Sequence, residues 1–385
     1  MASFNFSNWT HRYKNCLMAE IKNSSWLIQT EKESILALLL TGGTGFLGKH
    51  LLNNLIEGVD KVFLLVRRGS FKKAESLYRN NPKVDIVCGD ISLPHVIEQE
   101  DQLKKVCSET TILLHAAAYS NLRGNYEKCF LQNVVGTTNV LHLAKQMKNL
   151  QFFHHVSSIA VSGDFKGELK EDVLEIGQKF TNHYARTKFD AELLVRSWST
   201  HIQKRIYRLG VLVGDSTQGM TPQTDGPYYF FDLLDKLQRK KLLLNTLKYL
   251  PMPFEKSSII PMIPVDHAAK FVAKGVLSPK MGKGTRCYHV VSQQCPTVRE
   301  FVQDSFDEFG FSVNVVPLPK TRANNVIMDK VGLPKELLPY TYSKCRYDQT
   351  TVSKDFPGIE TSSYGHYKKA MFSFVKKGHS IGKKD

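Results

Sequence analysis

Tyr184 and Lys188, in the stretch YARTK, are four residues apart, so on a helix both side chains project from one face. An ammonium beside a phenol stabilises the phenolate and lowers the tyrosine pKa from its usual value of about 10. The phenol can then exchange a proton with a substrate oxygen near neutral pH. Ser157 and Ser158 close the stretch QFFHHVSS upstream and add a hydroxyl donor. A phenol, an ammonium and a hydroxyl converging on one oxygen suit the reduction of a carbonyl, or its reverse. The same spelling recurs at Tyr340/Lys344 and Tyr364/Lys368, but beyond the predicted sheet, and these are taken as coincidences.

Those side chains need a scaffold, and the chain supplies a rhythm for one. Apolar runs alternate with helix-like segments: ILALLLT, KVFLLVRR, VDIVCGD, TILLHAAA, QFFHHVSS and IYRLGVLVG, then CYHVVS after a break. Continuous apolar runs are strands buried on both faces, and helical segments between them are crossovers, so the fold class is a doubly wound α/β parallel sheet of six or seven strands. After Gly214 the rhythm breaks into DSTQGMTPQTDGPYYFF and a proline-bearing stretch. The expected organisation is an N-terminal extension (1–30), a nucleotide-binding domain (31–214, rejoined by 256–293), a smaller C-terminal substrate lobe (215–255 and 294–350) and a basic tail (351–385). Within the lobe, TVREF predicts a helix with Thr297 as its cap and Glu300 three residues on. Tyr228 to Phe231 are read either as lining an acyl pocket or as core.

The loop TGGTGFLG, between the first strand and the helix KHLLNNLIEG, has the setting a phosphate loop requires. Gly42, Gly45 and Gly48 allow a tight turn, close approach of backbone to pyrophosphate and close helix–strand packing, and the helix start offers free N–H groups. Thr44, Phe46 and Leu47 fall in the same site. NAD-binding versions place a carboxylate at the end of the second strand. Here Arg67 and Arg68 stand there, and guanidinium groups pair with a 2′-phosphate, so the expected cofactor is NADP(H). Two surface arginines are the competing reading. Asp90, with Ile91 beside it, is placed to accept from the adenine amino group; a loop-capping role competes for Asp90.

TGGTGFLG, HAAA, NVVGTTNVLHLA, HVSSIAVSGD and YARTK, in that order, resemble the extended short-chain dehydrogenase/reductase family over most of residues 35–300. The resemblance implies that Ser158 polarises the carbonyl, Tyr184 donates the proton, and Lys188 holds the nicotinamide ribose and tunes Tyr184. It further implies that Asn133, opening its helix, supports the lysine, and that His115, Ala116 and Ala117 line the nicotinamide side. LVRR, CGDISLP, RLGVLVGDSTQG, DGPYYFF and IPVDHAAKFV are similar to the thioester-reductase and fatty-acyl-reductase, or male-sterility-type, branch. That branch implies NADPH acting on acyl groups held by coenzyme A or a carrier protein. Thr187 stands where the family commonly has serine and Leu209 where it commonly has proline, which leaves the substrate open.

The net charge of +16 favours polyanionic partners, and the end of the chain, HYKKAMFSFVKKGHSIGKKD, concentrates part of it. This is read as a solvated tail, with peripheral membrane or carrier docking as the alternative. No recognition motif supports a nucleic-acid partner. The seven cysteines form no CxxC pair, so no metal site is expected and a reducing cytoplasm fits. Neither an export signal nor a membrane-spanning run is expected. The leading function is an NADPH-dependent reductase of a lipid-like or acyl-thioester substrate. A sugar-nucleotide epimerase or dehydratase, a hydroxysteroid-type dehydrogenase and a non-catalytic NADP(H) sensor or scaffold are the alternatives.

Overall fold

In the first strand, β1 (Ala37–Thr41), every residue is buried, and neighbours enter different cores: Ala37 and Leu39 pack into one apolar cluster, Leu38 and Leu40 into another. Alternate side chains leave a strand on opposite faces, so an unbroken apolar run means that helices cover both faces. The computed structural model describes residues 36–222, 226–278, 284–321, 323–331, 333–359 and 362–377. The expected N-terminal extension and the last residues of the expected tail lie outside the described residues.

Six further strands complete the main sheet: β2 (Lys61–Val66), β3 (Val84–Cys88), β4 (Ile112–His115), β5 (Phe152–Ser158), β6 (Gln203–Leu209) and β7 (Thr285–Val290). Their order is β7-β6-β5-β4-β1-β2-β3 and every pairing is parallel. The order reverses between β1 and β4, and such a reversal opens a crevice at the carboxyl ends of the strands. Both the glycine loop after β1 and the serines ending β5 lie at those ends.

The helices that matter to the site are α1 (Phe46–Leu55), α2 (Arg68–Tyr78), α3 (Gly136–Gln146), α4 (His183–Ser197), α5 (Tyr228–Leu237), α6 (Val265–Val276), α7 (Val298–Glu308) and α8 (Tyr364–Lys376). Leu51, Leu52 and Leu55 of α1 share one core with Ala268, Ala269 and Val272 of α6, while Leu141 and Ala144 of α3 and Leu194 and Val195 of α4 fill the opposite one. A third core, built from α5, α7, α8 and Phe254, forms the lobe. Thr297 caps α7 by accepting from Glu300 N–H at 3.0 Å.

Three placements differ from the sequence reading. The basic tail is helical over α8, with Tyr364, Tyr367, Met371 and Phe372 in the lobe core, while Lys368 and Lys376 pair with Asp304 and Glu308 of α7. The lysine count hid an apolar stripe at helical spacing. The lobe also does not run unbroken to 350. Cys345–Tyr347 pairs with Gly167–Leu169, and the next helix, Thr350–Asp355, sets Val352 into the sheet-side core. Finally, Asn133 does not open a helix: it lies within a π-helical segment, Phe130–Val135, between Tyr126–Cys129 and α3.

Candidate active site

A cavity of about 520 Å³ runs along the crevice and is lined by the glycine loop, Ser158, Tyr184 and Lys188 together. Its floor is the turn after β1. Gly42 has φ +77°, a conformation L side chains rarely adopt, and a Cβ there would meet the Ala117 backbone at 2.7 Å. A Cβ on Gly48 would strike the Gly42 carbonyl. Bare backbone is therefore required where α1 approaches the turn. Gly45 precedes α1 with no side-chain cap, and α1 has no acidic residue in its first turn, so its N–H groups remain available to an anion. Thr44, Phe46 and Leu47 line the cavity beside the three glycines. This cradle fits the pyrophosphate of a dinucleotide.

Local structure sets the reacting side chains. Ser158 ends β5, and its Oγ accepts from Ala160 N–H at 3.2 Å, capping a short 3-10 turn. Asn182 Oδ1 accepts from Ala185 N–H at 2.8 Å and starts α4 immediately before Tyr184. Tyr184 is half-buried, whereas Lys188, one turn on, is buried and its Nζ donates to the Val156 carbonyl of β5 at 2.6 Å. Burial lowers the Lys188 pKa to about 8, although the Glu192 carboxylate on the next turn acts to raise it.

Glu192 anchors the back of the site. Its Oε2 accepts from Ser157 Oγ at 2.6 Å, and Arg208 of β6 donates to both its oxygens at 2.7–3.1 Å. Burial pushes the carboxyl up, but the Arg208 guanidinium holds it down at about 2, so it stays ionised. The neighbour of Ser158 is thus tied to the helix of Tyr184.

Several expected site residues stand one layer behind the cavity. His115 is fully buried and bonded to Thr41 Oγ1 (2.9 Å) and Thr137 Oγ1 (3.1 Å). Thr137 spends its proton on the Asn133 carbonyl, so the His115 Nε2–H donates and Nδ1 accepts. Burial, with Lys188 nearby, holds its pKa down at about 3 and keeps it neutral. Thr41 Oγ1 also accepts from Ala117 N–H, so His115 positions the segment in which Ala116 and Ala117 do line the cavity. Asn133 bonds Tyr119 at both its N–H and its carbonyl, and its Nδ2 donates to Thr187 Oγ1 at 3.0 Å.

The two arginines part company. Arg67 lines the cavity, while Arg68 is 83% exposed and its guanidinium is engaged by Glu98 at 2.7 Å. Lys73 of α2, a residue the sequence reading missed, donates to the Thr44 carbonyl at 3.1 Å. Asp90 Oδ1 accepts from Ser92 N–H and Oγ in a tight turn, and its neighbours Gly89 and Ile91 line the cavity.

Beyond Tyr184 the cavity continues into the lobe, against Phe230, Met252, Phe254, Phe301, Val302 and Met328. Of the aromatic run, Phe230 reaches the cavity, while Tyr228 and Phe231 fill the lobe core. Tyr340 lines the cavity too, its hydroxyl accepting from Asn182 Nδ2.

The NAD-binding family model described as male sterility protein matches residues 40–272. The chain is similar to the fatty acyl-CoA reductase wat of Drosophila melanogaster, 27% identical over 256 residues, which are 55% of this chain and 49% of that protein. It is 33% identical to fatty acyl-CoA reductase 1 of Homo sapiens over 141 residues, 31% of this chain and 27% of that one. It therefore spans about half of the first relative and about a quarter of the second. Among solved structures, the terminal R domain of the myxalamid PKS-NRPS pathway shares the fold, with a TM-score of 0.70 at 22% identity over 94% of this chain and 98% of that chain. The match over residues 40–272, on a sheet and a glycine cradle of the kind described, makes this chain a member of the NAD-binding male sterility protein family.

Proposed function

We propose that the chain uses NADPH to reduce an acyl thioester, carried by coenzyme A or a carrier protein, with Ser158, Tyr184 and Lys188 acting on the carbonyl. The observation that carries this reading is the continuity of one cavity from the glycine loop, past those three side chains, into the apolar interior of the lobe. The fatty acyl-CoA reductases among its relatives support the substrate class. Gly42, Gly45 and Gly48 would hold the pyrophosphate, and Arg67, which lines the cavity just after β2, the 2′-phosphate.

When bound, the nicotinamide supplies a hydride to the carbonyl carbon. Ser158 Oγ holds the carbonyl oxygen and Tyr184 gives it a proton. Lys188 is largely charged at neutral pH and stabilises the phenolate that Tyr184 leaves behind. One hydride and one proton convert the thioester to an aldehyde and a free thiol. Phe230, Phe301 and Val302 offer an acyl chain apolar contact and keep water from the reacting carbon.

An epimerase or dehydratase would set a hydroxyl-rich sugar against the same apolar wall, where few groups could answer its hydrogen bonds. The test is NADPH consumption by purified protein over a panel of acyl-CoA thioesters, long-chain aldehydes, ketones and sterol-like alcohols run in reverse. Turnover of thioesters with release of free thiol is expected. Turnover confined to aldehydes, ketones or alcohols would overturn the substrate assignment.

A further inference from the structure

The stretch from Phe230 to Phe254 begins and ends at the cavity: Phe230 lines it near the start, and Met252 to Phe254 line it at the end. Between those ends, once past the buried face of α5, it runs over the outside of the lobe. The helical turn Lys241–Leu244 carries Leu242 and Leu243 at 88% and 66% exposure, and Leu247 and Tyr249 follow at 42% and 54%. Scattered exposed leucines are ordinary, but this is a run of large apolar side chains on one short segment. Within the segment that follows Asp235 the charge has one sign. From Lys236 to Leu250 the chain carries Lys236, Arg239, Lys240, Lys241 and Lys248 and no acidic residue. Lys241 turns to the Phe309 carbonyl, and the other four are exposed. Lys248 Nζ lies 5.5 Å from the centre of the Tyr249 ring, which pairs a cation with an amphipathic aromatic at the surface.

We infer that the segment Lys236–Tyr249 docks the protein on an anionic lipid bilayer. Leu242, Leu243 and Leu247 enter the boundary between headgroups and acyl chains, while Lys236, Arg239, Lys240 and Lys248 lie against lipid phosphates. A bilayer accepts apolar side chains of any arrangement and supplies the negative charge in the same plane. An acidic protein would meet the charge but would need a matching apolar patch for the leucines. The segment is too short to span and lies on the surface. Docking stands on this surface alone. Its value for catalysis rests on the acyl-substrate reading: the docked turn is joined on either side to residues that line the cavity, Phe230 before it and Met252 and Phe254 after it.

The test is sedimentation of the full chain with vesicles of phosphatidylcholine alone or with about a third phosphatidylserine. Binding to the anionic vesicles, weakened by salt, is expected, with little to the neutral ones. The pair Leu242→Glu and Leu243→Glu should reduce the bound fraction about tenfold or more, and so should the triple exchange of Lys236, Arg239 and Lys240 to Glu. Both variants should keep wild-type turnover of a short, water-soluble acyl thioester. Wild-type vesicle binding by the variants would overturn the inference, since another part of the chain would then hold the bilayer. So would equal binding to neutral and anionic vesicles, or a dimer that the leucine variant breaks without any vesicle binding. Vesicle binding that follows these rules in a protein that turns over no thioester would leave docking intact and remove only the substrate reading.

Discussion

The side-chain amide of Asn182 donates to the Tyr340 hydroxyl at 2.8 Å, while the same side chain caps the helix of Tyr184 and Lys188. A residue of the lobe therefore holds the cap of the helix that presents the reacting phenol. Tyr340→Phe should cost about 1 kcal/mol of stability, because it leaves a buried amide without its acceptor. It should also raise the KM for a long acyl substrate several-fold while altering kcat less. Asn182→Ala loses the cap as well, about another 1 kcal/mol, and should lower kcat. Thermal melts and steady-state kinetics on both variants measure this; unchanged kinetics in Asn182→Ala would make the contact incidental.

Lys188 should trade stability for chemistry. Its folded pKa of about 8 lies below the ordinary 10.5. Between those values the unfolded chain holds a proton that the folded one lacks, so this group makes stability rise with pH across that window. Below the window its buried charge costs about 3 kcal/mol. Lys188→Met should therefore raise the melting temperature at pH 7, less the lost bond to Val156, and abolish reduction. Tyr184→Phe should also abolish reduction while NADPH still binds, as read by nucleotide fluorescence. Normal turnover in either variant would remove the catalytic assignment.

Adjacent arginines should behave differently. Arg67→Ala is expected to raise the KM for NADPH about tenfold or more and that for NADH little, because a 2′-phosphate loses its guanidinium. Arg68→Ala, which frees Glu98 at the surface, should leave both nearly unchanged. Equal effects of Arg67→Ala on the two cofactors would refute the phosphate role.

Glu192→Gln should cost about 3–5 kcal/mol near neutral pH, since it leaves Arg208 buried without its carboxylate. The wild-type carboxyl is held at about 2 against an ordinary 4.5. A depressed folded pKa gives stability that is fully present above 4.5 and lost as pH falls towards 2. In urea unfolding the gap between wild type and variant should be widest at pH 7 and close progressively below pH 4.5.

All seven main strands and the glycine loop were legible because buried parallel strands leave unbroken apolar runs, and a turn that lets a helix start approach bare backbone leaves glycines at fixed spacing. YARTK was legible by position. Tyr340 was not: its partner in spelling, Lys344, turns instead towards Glu255, so the match was accidental even though the tyrosine reaches the cavity. Arg67 and Arg68 could not be separated, because which of two neighbours faces a crevice depends on how the chain leaves β2 and enters α2. The last helix was hidden by its lysines, whose partners on α7 lie more than sixty residues away in sequence. Contacts of that span leave no local signature.

The chain enters the lobe after Val213, returns by Met262–Pro264 to supply α6 and β7, leaves again at α7, comes back at Cys345–Tyr347 and re-enters the lobe with α8. The lobe is thus interleaved with the sheet. A cut after residue 214 would strip β7 from the sheet edge and α6 from the core of α1, exposing Tyr207 of β6 and Leu51, Leu52 and Leu55 of α1 to water. Evolution or engineering can reshape what the lobe holds by substitution within it, but cannot exchange it as a module. Any opening of the crevice must be shared among several strands of chain, which favours small sliding displacements over a swing about a single hinge.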